Sequence, residues 1–459
     1  MTFSSIDYLV FATIVIGVYW LLRQPRLQNP FLLVASFFFY GYIHYWFCLL
    51  LAGTIGVNFG AGVLMERYPR IRKTIAGIAV AATLCQLAFF KYFDFFIENV
   101  LALSAAAGIQ LSEPSIRIFL PVGISFYSFQ ALSYTIDVLR GDLPVQRRFV
   151  HFALFVSFFP QLVAGPIERA GRLLPQIENP RRFDAERFLA AFPLLLVGLF
   201  KKLVVADNIS VYVDKVFGLA QPPLALLLAG SVAFTIQIFA DFSAYTDIAR
   251  GSAKLLGFEL MENFNAPYAA LTPADFWRRW HISFSTWIRD YLYLPLGGSR
   301  NLDLKQQLGV LLVTFGLSGL WHGAAWNFVV WGIYHGVLLF VYRMAGMGAR
   351  YAPRSMAERM SMWAVMLVFS VLGWMLFRAS GMAWLMGALT AGRLGLSGDA
   401  LVSACFIMLW SLFYAAPLPF IRRAMTWPAL ARGIVYGVLF TMILIFVRDS
   451  AQDFIYFQF

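Results

Sequence analysis

The sequence predicts an all-α, polytopic integral membrane protein. Of its 459 residues, 60% are hydrophobic and only 13% are charged, against roughly 45–50% and about 25% in soluble domains. Apolar runs near the ~20 residues needed to cross a bilayer recur along the whole chain. Runs such as Leu224-Ala225-Leu226-Leu227-Leu228 lack the polarity alternation of outer-membrane barrel strands. A soluble enzyme, a disordered chain and a single-pass receptor are excluded.

Taken in order, spans are expected near 6–22, 31–43, 45–65, 74–93, 117–138, 188–206, 225–248, 307–322, 326–342, 360–377, 401–419 and 433–447, a bundle of about 11–13 spans. Segment 149–164 is short and ends in Pro160 and Gly165 between basic stretches, which suits a re-entrant or interfacial segment. The start of the chain lacks the basic region of a signal peptide and reads as a retained first span. With the N-terminus outside, the inward loops carry 28 of the 36 lysines and arginines, the bias of the positive-inside rule. That bias accounts for the +12 net charge without nucleic acid. Cys48, Cys85 and Cys405 sit in apolar runs with no metal-like spacing, so neither a disulfide framework nor a metal site is expected. The hydrophilic stretches 140–187 and 249–306 are too short for an ordinary separate domain. Residues 1–459 therefore read as one membrane domain.

Chemistry has to come from helix faces and these loops. Among five histidines, His44 sits among Tyr42, Tyr45 and Trp46, as an interfacial residue would. His151 follows Arg147 and Arg148 at an interface. His335 suits packing. His322 lies between two apolar spans in Gly319-Leu320-Trp321-His322-Gly323. Ionisable residues at such depth suggest function, although a structural histidine bonded between helices accounts for it equally well. Gly319 and Gly323 share a helix face and permit another backbone to approach.

His281 lies in a segment where Trp277, Trp280, Phe284, Trp287, Ile288 and Tyr291 recur at three- and four-residue steps. This spacing predicts one amphipathic helix, with Thr272 as cap, Pro273 in the first position and Asp275 in the third. His281 falls on its apolar side. The same helix could simply lie on the inner leaflet. A buried histidine stays neutral and can accept a proton, so two such residues suit acid–base catalysis. No G-x-S-x-G, P-loop or H-E-x-x-H motif is present. Lys201, Lys202, Asp241 and Asp247 leave a transporter-like ion site open.

At these residues the chain resembles the membrane-bound O-acyltransferases, and within them the bacterial branch that acts on alginate and other exopolysaccharides. The resemblance rests on 119–130, 159–167, 198–202, 277–298, 319–326 and the ending 454–459. It implies a helical fold around a central tunnel, with the first histidine motif in 249–306 and the second in 307–342. It implies transfer of an acetyl group from a cytoplasmic thioester, acetyl-coenzyme A or an acyl carrier protein, across the inner membrane to an extracytoplasmic polysaccharide. No permanently bound cofactor is implied, and a periplasmic partner transferase is expected to make the final delivery. His322 corresponds to the family's essential histidine, here a general base. His281 corresponds to its upstream polar partner, expected to bond the oxyanion or orient the donor. Arg278, Arg279 and Arg289, with Trp277 beside them, would bind donor phosphates or, equally, anionic lipid headgroups. Asp290 is expected to pair with a nearby arginine. The alternatives are acyl or D-alanyl transfer to peptidoglycan or teichoic acid, and a transporter or flippase, which would show repeated halves.

Overall fold

A computed structural model describes residues 1–42, 44–112, 118–298, 302–390, 397–448 and 454–455. Most of the 454–459 motif lies outside these. The described residues form helices, turns and loops, with no strand among them. They group into two compact units.

The first unit comprises 6–189 and 252–261 with Met1. It contains α1 (Ile6–Leu21), α2 (Pro25–Gly41), α3 (Phe47–Arg67), α4 (Arg72–Ala106), α5 (Ile124–Arg140), α6 (Phe149–Ser157), α7 (Phe159–Leu162), α8 (Ala170–Glu178) and α9 (Ala185–Leu189). α4 is far longer than the expected span 74–93. Beyond Gly77 no glycine or proline interrupts it before Gly108, which turns left-handed at φ 77° and stops it. The segment expected to be re-entrant is the short, buried pair α6 and α7. α5 is buried over twelve consecutive residues, Ile124 to Thr135. Its polar groups bond inward: the Thr135 hydroxyl donates to Asn58 at 2.6 Å, and Asn58 donates to Thr83 at 2.9 Å.

The second unit comprises 2–5, 190–251 and 262–459. α10 (Ala191–Leu199) runs through a π-helical stretch (Phe200–Ala206) into α11 (Asp207–Phe217). α12 (Leu224–Leu255) begins in this unit and ends in the first. Then come α13 (Pro273–Arg279), α14 (Ile282–Ile288), a second π-helical stretch (Arg289–Gly298), α15 (Leu304–His322), α16 (Trp326–Met344), α17 (Met356–Arg378), α18 (Met382–Thr390), α19 (Gly398–Ala415), α20 (Pro417–Ala424) and α21 (Ala429–Phe446). α15 opens with a capping box, in which the Asp303 side chain accepts from the Gln306 amide at 2.8 Å and the Gln306 side-chain oxygen accepts from the Asp303 amide at 3.3 Å.

Seven helices among the described residues are long and apolar enough to cross a membrane, against the 11–13 spans expected. The difference has a physical cause. Helices facing protein carry small and polar residues, as α5 does with Ser125, Ser128, Gln130, Ser133 and Thr135, and so are less apolar than lipid-facing ones. α1, with 16 residues, is apolar but shorter.

Candidate active site

The expected single amphipathic helix is two helices, and the break is at His281. Thr272 caps α13 as expected, accepting from the Asp275 amide at 3.1 Å behind Pro273. The buried Asp275 carboxylate accepts from Arg278 at 2.7 Å and Arg279 at 2.9 Å. α13 then ends, and His281 adopts φ 42° and ψ 55°. This left-handed conformation costs a residue bearing a Cβ roughly 1–2 kcal/mol. Neighbouring bonds hold it: the Asn265 amide donates to the Arg279 carbonyl and the Ile282 amide to the Asn263 carbonyl, each at 2.9 Å. The segment does not lie open on a surface, since Trp277, Trp280, Phe284, Trp287 and Ile288 are all buried.

The 263–265 segment also supplies a partner that no sequence spacing singled out. Asn263 Oδ1 lies 3.0 Å from His281 Nδ1 and accepts from the Ser283 amide at 3.1 Å and the Ser283 hydroxyl at 2.9 Å. A backbone N–H can only donate, so this atom is the amide oxygen. His281 Nδ1 therefore carries the proton, and Nε2 carries the lone pair. The ring is fully buried, and burial holds its pKa well below the ordinary 6.5. It sits edge-on to Phe242 at 4.6 Å and stacks on Phe284 at 5.0 Å.

His322 ends α15 and is 2% exposed. Aromatic rings surround it: Trp321 at 4.9 Å, Phe284 and Trp331 at 5.1 Å, and Phe377 at 5.6 Å. Phe284 and Trp321 thus touch both imidazoles, Trp321 lying 6.3 Å from His281. Of the two glycines expected to share a helix face, only Gly319 meets another backbone; Gly323 is the extended cap that follows α15, and a Cβ there would strike the Phe328 ring. A Cβ on Gly319 would strike the Phe328 carbonyl of α16, and one on Gly332 would strike the Phe315 carbonyl of α15. The two backbones pack in direct contact. His335 is buried in packing, between Trp331 at 4.8 Å and Trp277 at 5.1 Å.

Beside this centre lies a cavity of about 560 Å³, within the range of small-molecule sites. Trp277, Phe284, Ile288, Leu311, Phe315 and Leu339 give it apolar walls. Arg278, Arg289, Arg343, Tyr293 and Tyr342 give it polar ones. The Arg278 and Arg289 side chains are 51% and 59% exposed, whereas Phe284 is 1% exposed. The cavity therefore runs from a charged, solvent-facing rim to a buried aromatic wall. Ser318, one helical turn before His322, also lines it. Of the expected donor-binding residues, Trp277, Arg278 and Arg289 line the cavity. Arg279 does not; it is tied to Asp275 and the Asn265 carbonyl. Arg289 pairs with Asp290 at 2.7 Å, as expected. Arg343 was not anticipated. It donates to the Tyr293 hydroxyl at 3.3 Å, and its only signal was a basic last turn on α16.

The charges that left an ion site open are paired with one another or with Asp207. Lys201 meets Asp247 at 2.6 Å, and Lys202 meets both Asp207 and Asp241 at 2.9 Å. Asp241 also accepts from the Ile455 amide at 2.7 Å. Phe454 packs on Tyr245 at 4.2 Å and on Phe242 at 5.6 Å, so the 454–455 segment braces a ring that flanks His281. In the first unit, His151 is buried beside Gln146, Arg148 and Glu178, while His44 is exposed against Phe47.

The described residues thus set two buried imidazoles, on helical elements, beside an arginine-rimmed cavity. The family model for the membrane-bound O-acyltransferases matches residues 143–386. A probable alginate O-acetylase of Pseudomonas aeruginosa is 39% identical over 84% of this chain and 74% of its own length. One of Azotobacter vinelandii is 39% identical over 84% and 77%. A peptidoglycan O-acetyltransferase of Helicobacter pylori is 32% identical over 84% and 76%. The chain belongs to the membrane-bound O-acyltransferase family, and its activity is O-acyl transfer.

Proposed function

We propose that the chain takes an acetyl group from a cytoplasmic thioester and passes it toward a hydroxyl of an extracytoplasmic polysaccharide. The observation that carries this reading is the cavity, whose arginine rim suits an anionic donor such as coenzyme A or the phosphopantetheine of an acyl carrier protein. Its apolar depth suits the uncharged arm that follows, and its innermost ring, Phe284, touches both imidazoles. Guanidinium groups bind phosphate in bidentate geometry. The same rim would also hold anionic lipid headgroups.

His322 acts as base on the acceptor hydroxyl. The oxygen attacks the thioester carbonyl, the carbon–oxygen bond forms and the carbon–sulfur bond breaks. The departing thiolate takes the proton back from His322. Of the parts expected of His281, bonding the oxyanion is set aside in this reading. The His281 Nδ1 proton goes to Asn263, so the neutral ring accepts at Nε2 from a second, non-reacting hydroxyl of the acceptor sugar and orients it, instead of donating to the oxyanion. The donor to the oxyanion is assigned to the Trp331 indole N–H, which is buried beside His322 with no hydrogen-bond partner among the described residues.

The protein works in the bacterial inner membrane with its N-terminus on the periplasmic side. Only the acetyl group crosses; moving a single charge to mid-membrane costs at least ~2.5–3.5 kcal/mol on insertion scales. A periplasmic transferase makes the last delivery. The relatives favour alginate or a similar polymer, with peptidoglycan as the second reading because a peptidoglycan O-acetyltransferase matches over the same share of the chain.

The test uses the purified chain and labelled acetyl-coenzyme A or acetyl-acyl carrier protein, with label transfer and thiol release measured. Turnover of neither donor overturns the thioester reading. Direct acetylation of polymer by the chain alone overturns the need for a partner. Mass spectrometry of surface polymers from a deletion strain names the acceptor.

A further inference from the structure

The cavity stops one ring short of the base. Phe284 and Ser318 line it, whereas His322 does not. Phe284 is 1% exposed and stands with its ring 5.0 Å from His281 and 5.1 Å from His322. Its other flank packs on Trp321 at 4.3 Å. Trp277 also lines the cavity, but it packs toward Trp331 and His335. Phe284 is therefore the lining ring that separates the cavity from both imidazoles at once.

A separator at this point has a chemical use. A thioester beside a histidine base is open to attack by water as well as by an alcohol. With water, the carbonyl gains an oxygen, the carbon–sulfur bond breaks, and carboxylate and thiol leave. The donor is spent with no acceptor acylated. Keeping water from the base until the donor is seated limits this loss. The position suits a ring that moves. Phe284 sits in α14, seven residues long, directly after the left-handed break at His281, so a rotation about its own side-chain bonds opens the wall without unwinding a long helix.

We propose that Phe284 is a gate between the donor cavity and His322, closed in this structure and displaced by the arriving acyl thioester. The inference rests on the acyl-transfer reading but can fail separately from it. Phe284 positions and excludes; it takes no part in bond making.

The experiment compares the wild type with Phe284→Leu, Phe284→Ala and Phe284→Ala/His322→Ala in the full-length chain in detergent micelles. Folding is checked by elution volume, and Phe284→Leu serves as the volume-conserving variant should alanine disturb packing. The first readout needs no donor: carbethoxylation of His322 by diethyl pyrocarbonate, followed by peptide mass spectrometry. The gate predicts slow modification in the wild type, at least tenfold faster modification in Phe284→Ala, and an intermediate rate in Phe284→Leu. The second readout is thiol release from acetyl-coenzyme A without acceptor. It should rise severalfold in Phe284→Ala and fall to background in the double variant. Equal His322 reactivity in folded wild type, Phe284→Leu and Phe284→Ala overturns the gate. Faster modification with no rise in thiol release overturns the water-excluding role given to the gate.

Discussion

Replacing Asn263 with aspartate keeps the shape of the side chain and puts a negative charge where an amide oxygen now lies 3.0 Å from His281 Nδ1. The Ser283 amide and hydroxyl already donate to that oxygen, so the carboxylate inherits three donors. In the native protein burial holds the His281 pKa well below 6.5, and the ring is neutral throughout the neutral pH range. An opposite charge at hydrogen-bond distance favours the imidazolium by about 1–3 pH units. The neutral ring is the active form in the proposed mechanism, so activity in Asn263→Asp should fall as pH drops through the raised pKa. The rate should fall about tenfold per unit below it and recover toward the alkaline end. Asn263→Ala should behave differently. It loses one hydrogen bond that sets the tautomer, worth ~0.5–1.5 kcal/mol, and should be slowed by up to about tenfold at every pH with no new limb. The assay is initial-rate acyl transfer between about pH 5.5 and 8.5 for the three proteins. An Asn263→Asp profile with no more acid-side loss than the wild type, followed down to the lowest pH at which both stay folded, would refute the role given to His281.

His322→Ala should retain expression and elution behaviour yet lose acyl transfer by at least ~10²-fold, the lower range for a positioned general base; near-normal rates would end its catalytic assignment. Trp331→Phe removes the indole N–H at similar volume and should lower kcat more than KM; an unchanged kcat returns Trp331 to packing. Lys202→Met leaves Asp207 and Asp241 buried without their cation, so a thermal-shift assay should register a large drop, on the order of 3–5 kcal/mol. Gly319→Ala drives a methyl group into the Phe328 carbonyl and should cost ~1–3 kcal/mol, with activity lost as α15 and α16 separate; wild-type melting would contradict the packing described.

The helical segments around the second histidine motif were legible because their signals are local. The segments 307–322 and 326–342 are helical, as Leu304–His322 and Trp326–Met344, though neither is among the seven helices apolar enough to cross a membrane; apolar runs and the interrupting Gly323 mark them without reference to any distant residue. The Thr272-Pro273-Asp275 start of α13 was legible for the same reason. The helix that follows was misjudged. The three- and four-residue aromatic spacing continues straight through His281, and nothing in that spacing reveals that bonds from the 263–265 segment hold a left-handed turn there. The number of spans is less legible than their existence, because hydropathy alone does not tell a lipid-facing helix from one such as α5 that faces protein.

Composition by itself determined that this chain is helical and multi-pass, because each residue contributes to transfer free energy regardless of its neighbours. The two histidine motifs stood out from the same one-dimensional signals. The proton on His281, the inclusion of Arg343 and exclusion of Arg279 at the cavity, and the ring of Phe284 against both imidazoles were decided only by the tertiary structure. Hydrogen-bond direction and ring contact are properties of pairs of residues brought together from distant parts of the chain, and no spacing along the sequence encodes which pairs will meet.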